Sequence, residues 1–418
     1  MSVENAFKII EMETAFTFDL LYTKAPLLYT PWGLFLHFVT FFLTFLVLLI
    51  FVFLALNHKH NYSKIDLFVT FGLLIGAIVL EIYAALVLLS SDRAVVWFWK
   101  HNKTSTWHIP SCFQPSKGPR WSNKMAQYSL LSFSMKEKTH LCLKILKTLR
   151  CLKILSLFNI DKMLEESLYV TYEEVPEELK KLIFQNLKDK AAKRTRVTEN
   201  QATQVEEPTS SRKSEGIPNF GEDLSKRILF WHFITEISYY MDKSHIKSDP
   251  NIHFRKYPNS NSKLMKKISR YMMYLLVIHP SLLSIGMSAI SFEDEVDTLV
   301  DTFQTMRSEG KKGRNEMLTY LDEHGLGDNK KGVLRDAYSF MKRMNEPDQK
   351  IKLWDEIGCS WLELLAYAAR KCKGSLHAQN LRFGGELLTH VWLLMAQFGL
   401  TEHFQTSEKL HIARLVSE

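Results

Sequence analysis

Two histidine–carboxylate pairs in this sequence stand at helical spacing, His232 with Glu236 in WHFITEISYY and Glu386 with His390 in GGELLTHVWLLMAQFGL. Residues four apart share one face of a helix, so each pair presents a nitrogen and an oxygen donor side by side. Were the two helices packed face to face, four ligands would converge as in the metal sites of helix bundles, the arrangement a metal-dependent hydrolase would need. The other reading of each pair is a local hydrogen bond or a polar edge on a packed helix, and nothing in the sequence brings the helices together. His377, in GSLHAQN, reads as a residue that caps or lines a loop. There is no G-x-S-x-G elbow, phosphate loop, HExxH, kinase set or GxGxxG fingerprint. We therefore expect no catalytic residue, no cofactor and no enzyme, with His232, Glu236, Glu386 and His390 as the candidates for a metal.

The elements that carry these residues follow from where the apolar residues fall. Of 418 residues, 46% are apolar and 23% charged, values ordinary for a folded protein. Their distribution is uneven. Trp32 to Leu56 has no formal charge and only His37, Thr40 and Thr44 as polar interruptions, and Leu67 to Leu89 has one ionisable residue, Glu81. Each exceeds the roughly 20 residues that cross a bilayer core. A short polar connection, NHKHNYSKID, makes them an antiparallel hairpin. Lys24, Arg93, Lys100 and Lys103 on one side outweigh Lys59 and Lys64 in the loop, which favours a cytosolic C-terminal part. The sequons at Asn61 and Asn102 fall on opposite faces, and Trp97, Phe98 and Trp99 suit an interfacial belt. Gly72 and Gly76 form a small-xxx-small pair that would admit a close helix neighbour. Glu81 has two readings: an ion or proton role, or a carboxyl hydrogen-bonded to another helix. The opening MSVENAFKIIEMETAF has no basic region ahead of an apolar one, so it is not a cleavable signal peptide.

Beyond the spans, Lys138 to Lys153 places Leu141, Cys142, Ile145, Leu146, Leu149 and Leu152 on one helical face and Lys144, Lys147 and Arg150 on the other. Such a helix fits an anionic leaflet, a calmodulin-type target or an ordinary packing face, in keeping with 53 Lys+Arg against 45 Asp+Glu. VPEELKKLIFQNLKDKAAK continues as helix, and RTRVTENQATQVEEPTSSRKSEGIPNFGED loses all periodicity, a linker with Ser210, Ser211 and Ser214 as candidate phosphorylation sites. The five cysteines, Cys112, Cys142, Cys151, Cys359 and Cys372, have no paired spacing and read as reduced thiols.

After the linker the chain reads as helical. Leu224, Ile228, Trp231, Ile234/Thr235 and Ser238 form one ridge, with Leu229, Phe233 and Ile237 as a second. Trp354, Ile357, Trp361, Leu364 and Ala368 form another, ending at Gly374 as a C′ residue. Tyr271 to Ile290 is apolar over some twenty residues, but His279-Pro280 interrupts it, so we expect a buried helix ending near Ile278 rather than a third span. Leu387 to Leu400 is too short to cross and reads as a core helix.

The blocks WHFITEISYY, ISRYMMYLLVIHPSLLS, SWLELLAYAARKC and HAQNLRFGGELLTHVWLLMAQFGLTEHFQ closely resemble the C-terminal domain of a plant family of uncharacterised membrane proteins, domain of unknown function 594. Upstream, YTKAP, IDLFVTFGLLIGAIVLEIYAALVLLSSD and WSNKMAQYSL resemble the later part of its N-terminal partner, domain of unknown function 4220. The resemblance implies a multi-pass membrane protein with no established activity. Family members usually carry further hydrophobic segments ahead of the YTKAP position, which argues against transport by this shorter chain, and where they tend to have Ser-Asp-Trp this sequence has Ser91-Asp92-Arg93.

The expected architecture is mainly α: an N-terminal transmembrane helical hairpin followed by a cytosolic all-α domain. Its parts are an N-terminal segment 1–30, a two-helix membrane region 31–90, a juxtamembrane basic region 91–190, a linker 191–222 and a helical domain 223–418. Expected partners are the bilayer, anionic lipid head groups and an unidentified protein, with no nucleic acid. The function that fits is a membrane-anchored interaction or scaffold protein. The rival is a subunit of an oligomeric channel or transporter, with Glu81 and the Gly72/Gly76 face at the pore. Span length leaves plasma membrane and endoplasmic reticulum equally open.

Overall fold

The computed structural model describes residues 2–22, 30–57, 64–89, 121–135, 169–200, 217–221, 223–248, 260–283, 289–310, 313, 316, 319–321, 332–344, 349–381 and 386–401. The described chain is mainly α-helical. It divides into two compact units, one formed by Met1–Ile10 with Asn123–Glu418 and the other by Glu11–Ser122. Helix α1 (Val3–Tyr22) passes from one to the other.

The smaller unit holds α2 (Pro31–Asn57) and α3 (Lys64–Leu89). Within them Phe35–Ala55 and Ile65–Leu86 are long and apolar enough to cross a membrane, with mean hydropathies of 3.0 and 2.2, and neither is buried by the rest of the chain. They run antiparallel: Phe51 packs edge-on against Phe71, while His37, near the start of α2, meets Glu81, in the last third of α3. Phe38, Phe42, Phe53, Phe68, Leu73 and Leu80 point outward. A water-facing apolar surface of that size and character would be an aggregation liability.

The larger unit is built on α6 (Leu224–Ser248), around which α7 (Ser260–Ile278), α8 (Ala289–Ser308), α9 (Val333–Met344) and α10 (Lys350–Lys371) pack. Asp223 caps α6 by accepting from the N–H groups of Ser225 and Lys226. Between Leu224 and Met241 the two ridges expected from the sequence merge: Ile228, Leu229, Phe230, Trp231, Phe233, Ile234 and Ile237 are all buried. A helix that is apolar all round belongs in the middle of a fold. Helix α10 buries Trp354, Ile357, Trp361, Leu364 and Ala368 as expected, and its two indoles donate to α6, Trp354 to Asp242 at 3.0 Å and Trp361 to Thr235 at 2.9 Å.

Helix α7 stops at Ile278, ahead of His279-Pro280, and a 3-10 turn, Pro280–Leu283, buries Leu282 and Leu283. Tyr271 to Leu276 thus lies in the core together with Leu282 and Leu283, and neither candidate span includes this stretch. Two short helices finish the unit, α11 (Gly374–Asn380) and α12 (Leu387–Gln397). Gly399 adopts φ +66, and its neighbour Leu400 donates back to the Met395 carbonyl, a helix-ending turn that favours glycine.

Three features differ from the sequence reading. Gly374 does not close α10: Cys372, in extended conformation, ends it, and Gly374 opens α11. The region read as juxtamembrane supplies parts of the larger unit. Strands β1 (Lys124–Gln127) and β2 (Thr171–Glu174) pair antiparallel with Lys124 opposite Glu174, and β1 lies on α7. A short helix, α4 (Leu130–Ser134), and α5 (Glu177–Asn200) complete it. Helix α5 extends to Asn200, so the helix enters the stretch read as linker from 191. Cys112, Cys142, Cys151, both sequons, the Trp97 belt, Ser210, Ser211, Ser214, and the basic face of Lys144, Lys147 and Arg150 lie outside the described residues.

Candidate functional site

His232 and Glu236 stand one turn apart on α6 and face α7 and the strap that joins β1 to α4. The carboxylate of Glu236 is 1% exposed and accepts a two-point bond from Arg270, from Nε at 2.5 Å and Nη2 at 3.1 Å. The Ser129 hydroxyl donates to it at 3.0 Å, and Arg270 also donates to the Tyr240 hydroxyl at 3.0 Å. Burial alone pushes the Glu236 carboxyl up, but the Arg270 guanidinium outweighs it and holds the group down at about 2. The ring of His232 is engaged at both nitrogens. Nε2 accepts the Leu130 N–H at 3.2 Å, so Nδ1 carries the proton and donates to Ser269 Oγ at 2.9 Å. Burial lowers this imidazole to about 4, against the opposing pull of Glu236, and it is neutral at physiological pH.

Ser129, His232 and Glu236 are the residue types of a hydrolytic triad, and their connections decide the matter. A triad needs the serine bonded to the histidine and the histidine to the carboxylate. Here the serine is bonded to the carboxylate, and the histidine acceptor is taken by a main-chain N–H. The three side chains are thus not connected as a triad. Tyr128 N–H donates to the Arg270 carbonyl at 3.0 Å and Gln127 Nε2 to the Lys267 carbonyl at 3.1 Å, so the whole strap is stitched to α6 and α7.

Glu386 and His390 form a separate cluster at the start of α12. Tyr271, fully buried, donates to Glu386 Oε2 at 3.0 Å and accepts the Leu388 N–H at 2.9 Å. Burial raises Glu386 to about 7, with the tyrosine bond pulling the other way. His390 Nδ1 donates to the main-chain carbonyl of Glu386 at 3.0 Å and not to its carboxylate, and burial lowers this imidazole to about 4. His377 is in the core rather than in a loop. Its Nε2 donates to the Ala369 carbonyl at 3.2 Å, its Nδ1 accepts from Thr389 Oγ1 at 3.1 Å, and its ring stacks on Trp392 at 4.6 Å. Burial again holds it at about 4.

The four metal candidates are therefore not brought together. Arg270 serves the first pair and Tyr271 the second, and consecutive residues of α7 point about 100° apart, so the clusters occupy different sides of that helix. Among the described residues no three His, Cys, Asp or Glu side chains converge as a metal site. Sequence reasoning missed Ser129, Ser269, Arg270 and Tyr271. The one available signal was the polar pair Ser269-Arg270 inside the apolar stretch ISRYMMYLLVI.

In the hairpin, His37 Nδ1 lies 3.5 Å from Glu81 Oε2, which gives the acid of this apolar helix a partner on the neighbouring helix. A Cβ added at Gly72 or Gly76 would meet nothing within 4 Å, so that small-residue face is turned away from α2.

The comparisons with known proteins bracket these clusters. Residues 1–133 match the family described as Domain of unknown function (DUF4220), and residues 346–400 match Protein of unknown function, DUF594. No curated protein and no solved structure matches the chain. The first match spans the hairpin and the strap that carries Ser129 and Leu130. The second spans α10 to α12, with His377, Glu386 and His390, while His232, Glu236, Arg270 and Tyr271 fall between the two. The chain thus carries DUF4220 at its N-terminus followed by DUF594 in its C-terminal region, the architecture that the sequence resemblance implied.

Proposed function

We propose that the chain is a membrane-anchored interaction protein. Helices α2 and α3 cross the bilayer as a hairpin, and the helical unit built on α6 engages a protein partner on the side to which both hairpin ends lead. The observation that carries this reading is the contrast between the units. One is a pair of apolar helices with outward-facing Phe and Leu and no burial by the rest of the chain. The other turns its candidate reactive groups inward: His232 and His377 are bonded at both ring nitrogens, and Glu236 is held by Arg270 and Ser129. The lysine and arginine bias across the hairpin supports a cytosolic helical unit. The face of Lys144, Lys147 and Arg150 adds attraction to anionic head groups. Plasma membrane and endoplasmic reticulum fit equally.

The channel-subunit reading draws less support. A pore built from several copies needs polar groups turned toward those copies, whereas His37 and Glu81 are turned toward each other. Alkaline carbonate extraction tests the anchor. The full-length chain stays with the membrane, and Leu46→Arg combined with Ile75→Arg, each on an exposed mid-span position, loses it, at a cost of about 3 kcal/mol per arginine. Wild-type protein released by carbonate would overturn the anchor. A photo-crosslinker at exposed Ile351 or Tyr172 tests the partner half: adducts to a second protein support it, and none from any exposed position of the helical unit contradicts it.

A further inference from the structure

Among the described residues the hairpin brings together ionisable groups from opposite helices at His37 and Glu81. The hydroxyls of Thr40, Thr44 and Thr70 each donate to a carbonyl of their own helix, of His37, Thr40 and Asp66 respectively, so they are satisfied locally. The side chains of His37 and Glu81 meet each other, and among the described residues no other ion pair or hydrogen bond reaches either side chain. The other ionisable residues on the described helices of this unit are Glu11, Glu13, Asp19 and Tyr22 on α1, and Lys64, Asp66 and Tyr83 on α3. Asp66 is fifteen positions before Glu81, about 22 Å along the helix, and the Tyr83 ring is on the outer face, 65% exposed.

We infer that His37 and Glu81 form one proton-binding site inside the hairpin, holding a single exchangeable proton between imidazole and carboxylate. This rests on the reading of α2 and α3 as membrane helices. With one proton the pair is neutral overall, whether written as imidazolium and carboxylate or as imidazole and carboxylic acid. Taking the proton away leaves a bare carboxylate in the hairpin; adding a second leaves a bare imidazolium. Both are penalised in hydrocarbon, so a single proton shared across the 3.5 Å gap is the arrangement in which neither group stands alone.

Position supplies the access route. His37 is two residues inside the Phe35 edge of its span and Glu81 five residues inside the Leu86 edge, about 3 and 8 Å deep. Those edges lie on the face shared by the start of α2 and the end of α3. The far end of α2, at Ala55, is about 27 Å beyond His37. Protons therefore exchange with one face, the one shared by the start of α2 and the end of α3.

The test uses the full-length chain in phosphatidylcholine–phosphatidylglycerol vesicles, with infrared difference spectra recorded across a pH series. Glu81→Gln removes one protonated-carboxyl band and so assigns it. In His37→Ala the pH at which that band disappears moves by about one unit or more, the mark of coupled groups. His37→Gln, which keeps size and hydrogen bonding, gives the same shift and guards against collapse of the hairpin. A band whose midpoint is the same in wild type and both His37 variants would overturn the shared site while leaving the anchor intact. Wild-type protein released from the vesicles by carbonate would overturn the anchor, and the proton site with it.

Discussion

Replacing Arg270 by methionine removes the guanidinium paired with a carboxylate of 1% exposure. Glu236 would keep the Ser129 hydroxyl but lose both guanidinium bonds. The size of the loss follows from how strongly the fold favours the charged form. A carboxyl held at about 2, against an ordinary value of 4.5, contributes about 3 kcal/mol at neutral pH. Breaking a buried ion pair from one side costs about 3–5 kcal/mol in general, which agrees. Because the folded-state value is depressed, this contribution is present above about 4.5 and lost as pH falls toward about 2. The double variant, Arg270→Met with Glu236→Gln, leaves no buried charge, and its amide can still bond Ser129. We expect it to cost about 1–2 kcal/mol, less than either single change. The assay is thermal unfolding of the detergent-solubilised chain by tryptophan fluorescence, where the Arg270→Met loss appears as a fall of roughly 10 °C. A double variant that falls by the sum of the two singles, or an Arg270→Met loss under about 1 kcal/mol, would refute the reasoning.

Other consequences can be checked on the same material. Glu295 on α8 caps α9 by accepting from the Val333 and Leu334 N–H groups, and a Cβ on Gly332 would sit 2.3 Å from its Oε1. Gly332→Ala therefore costs about 1–2 kcal/mol, Glu295→Ala a similar amount, and the two combined little more than one, by the same unfolding assay. The raised value of Glu386 means that the folded chain holds an extra proton between about 4.5 and about 7, so its contribution falls as pH rises through that window. Glu386→Gln flattens that slope by about 1–3 kcal/mol, read from melting temperature at pH 5 and pH 7.5. The histidines carry the opposite sign. His232, His377 and His390 are lowered from 6.5 to about 4, so the unfolded chain binds more protons across that range and stability is lost as pH falls through it. His377→Asn should weaken this acid sensitivity while lowering stability at neutral pH.

How far the sequence could be read depended on how local each feature is. The central helix, the α10 ridge and the stop at His279-Pro280 follow from periodicity and one proline, which act within a few turns. The hairpin follows from length and polarity, and the resemblance to the two domains is matched over residues 1–133 and 346–400. Strands β1 and β2 escaped because each is four residues long and pairs with a partner beyond an intervening stretch from Tyr128 to Val170. The clusters were visible only by half. Spacing showed that His232 and Glu236 share a face, but their partners Ser129 and Arg270 are 107 and 34 residues from Glu236. No periodicity reports such contacts. Glu81 was visible as an acid in a span and His37 as a polar interruption in another. Their meeting depends on the register of the hairpin, which composition does not encode.

The most direct test of the central claim is two-sided labelling of sealed vesicles with a membrane-impermeant maleimide. Cys112, Cys142 and Cys151 would be replaced by serine, leaving exposed Cys359 and buried Cys372, with one new cysteine at Trp32 or at Asn57. An anchored hairpin predicts that Cys359 and Trp32→Cys react from one face and Asn57→Cys from the other alone. All three reacting from the same face would contradict a membrane-crossing hairpin and the account built on it.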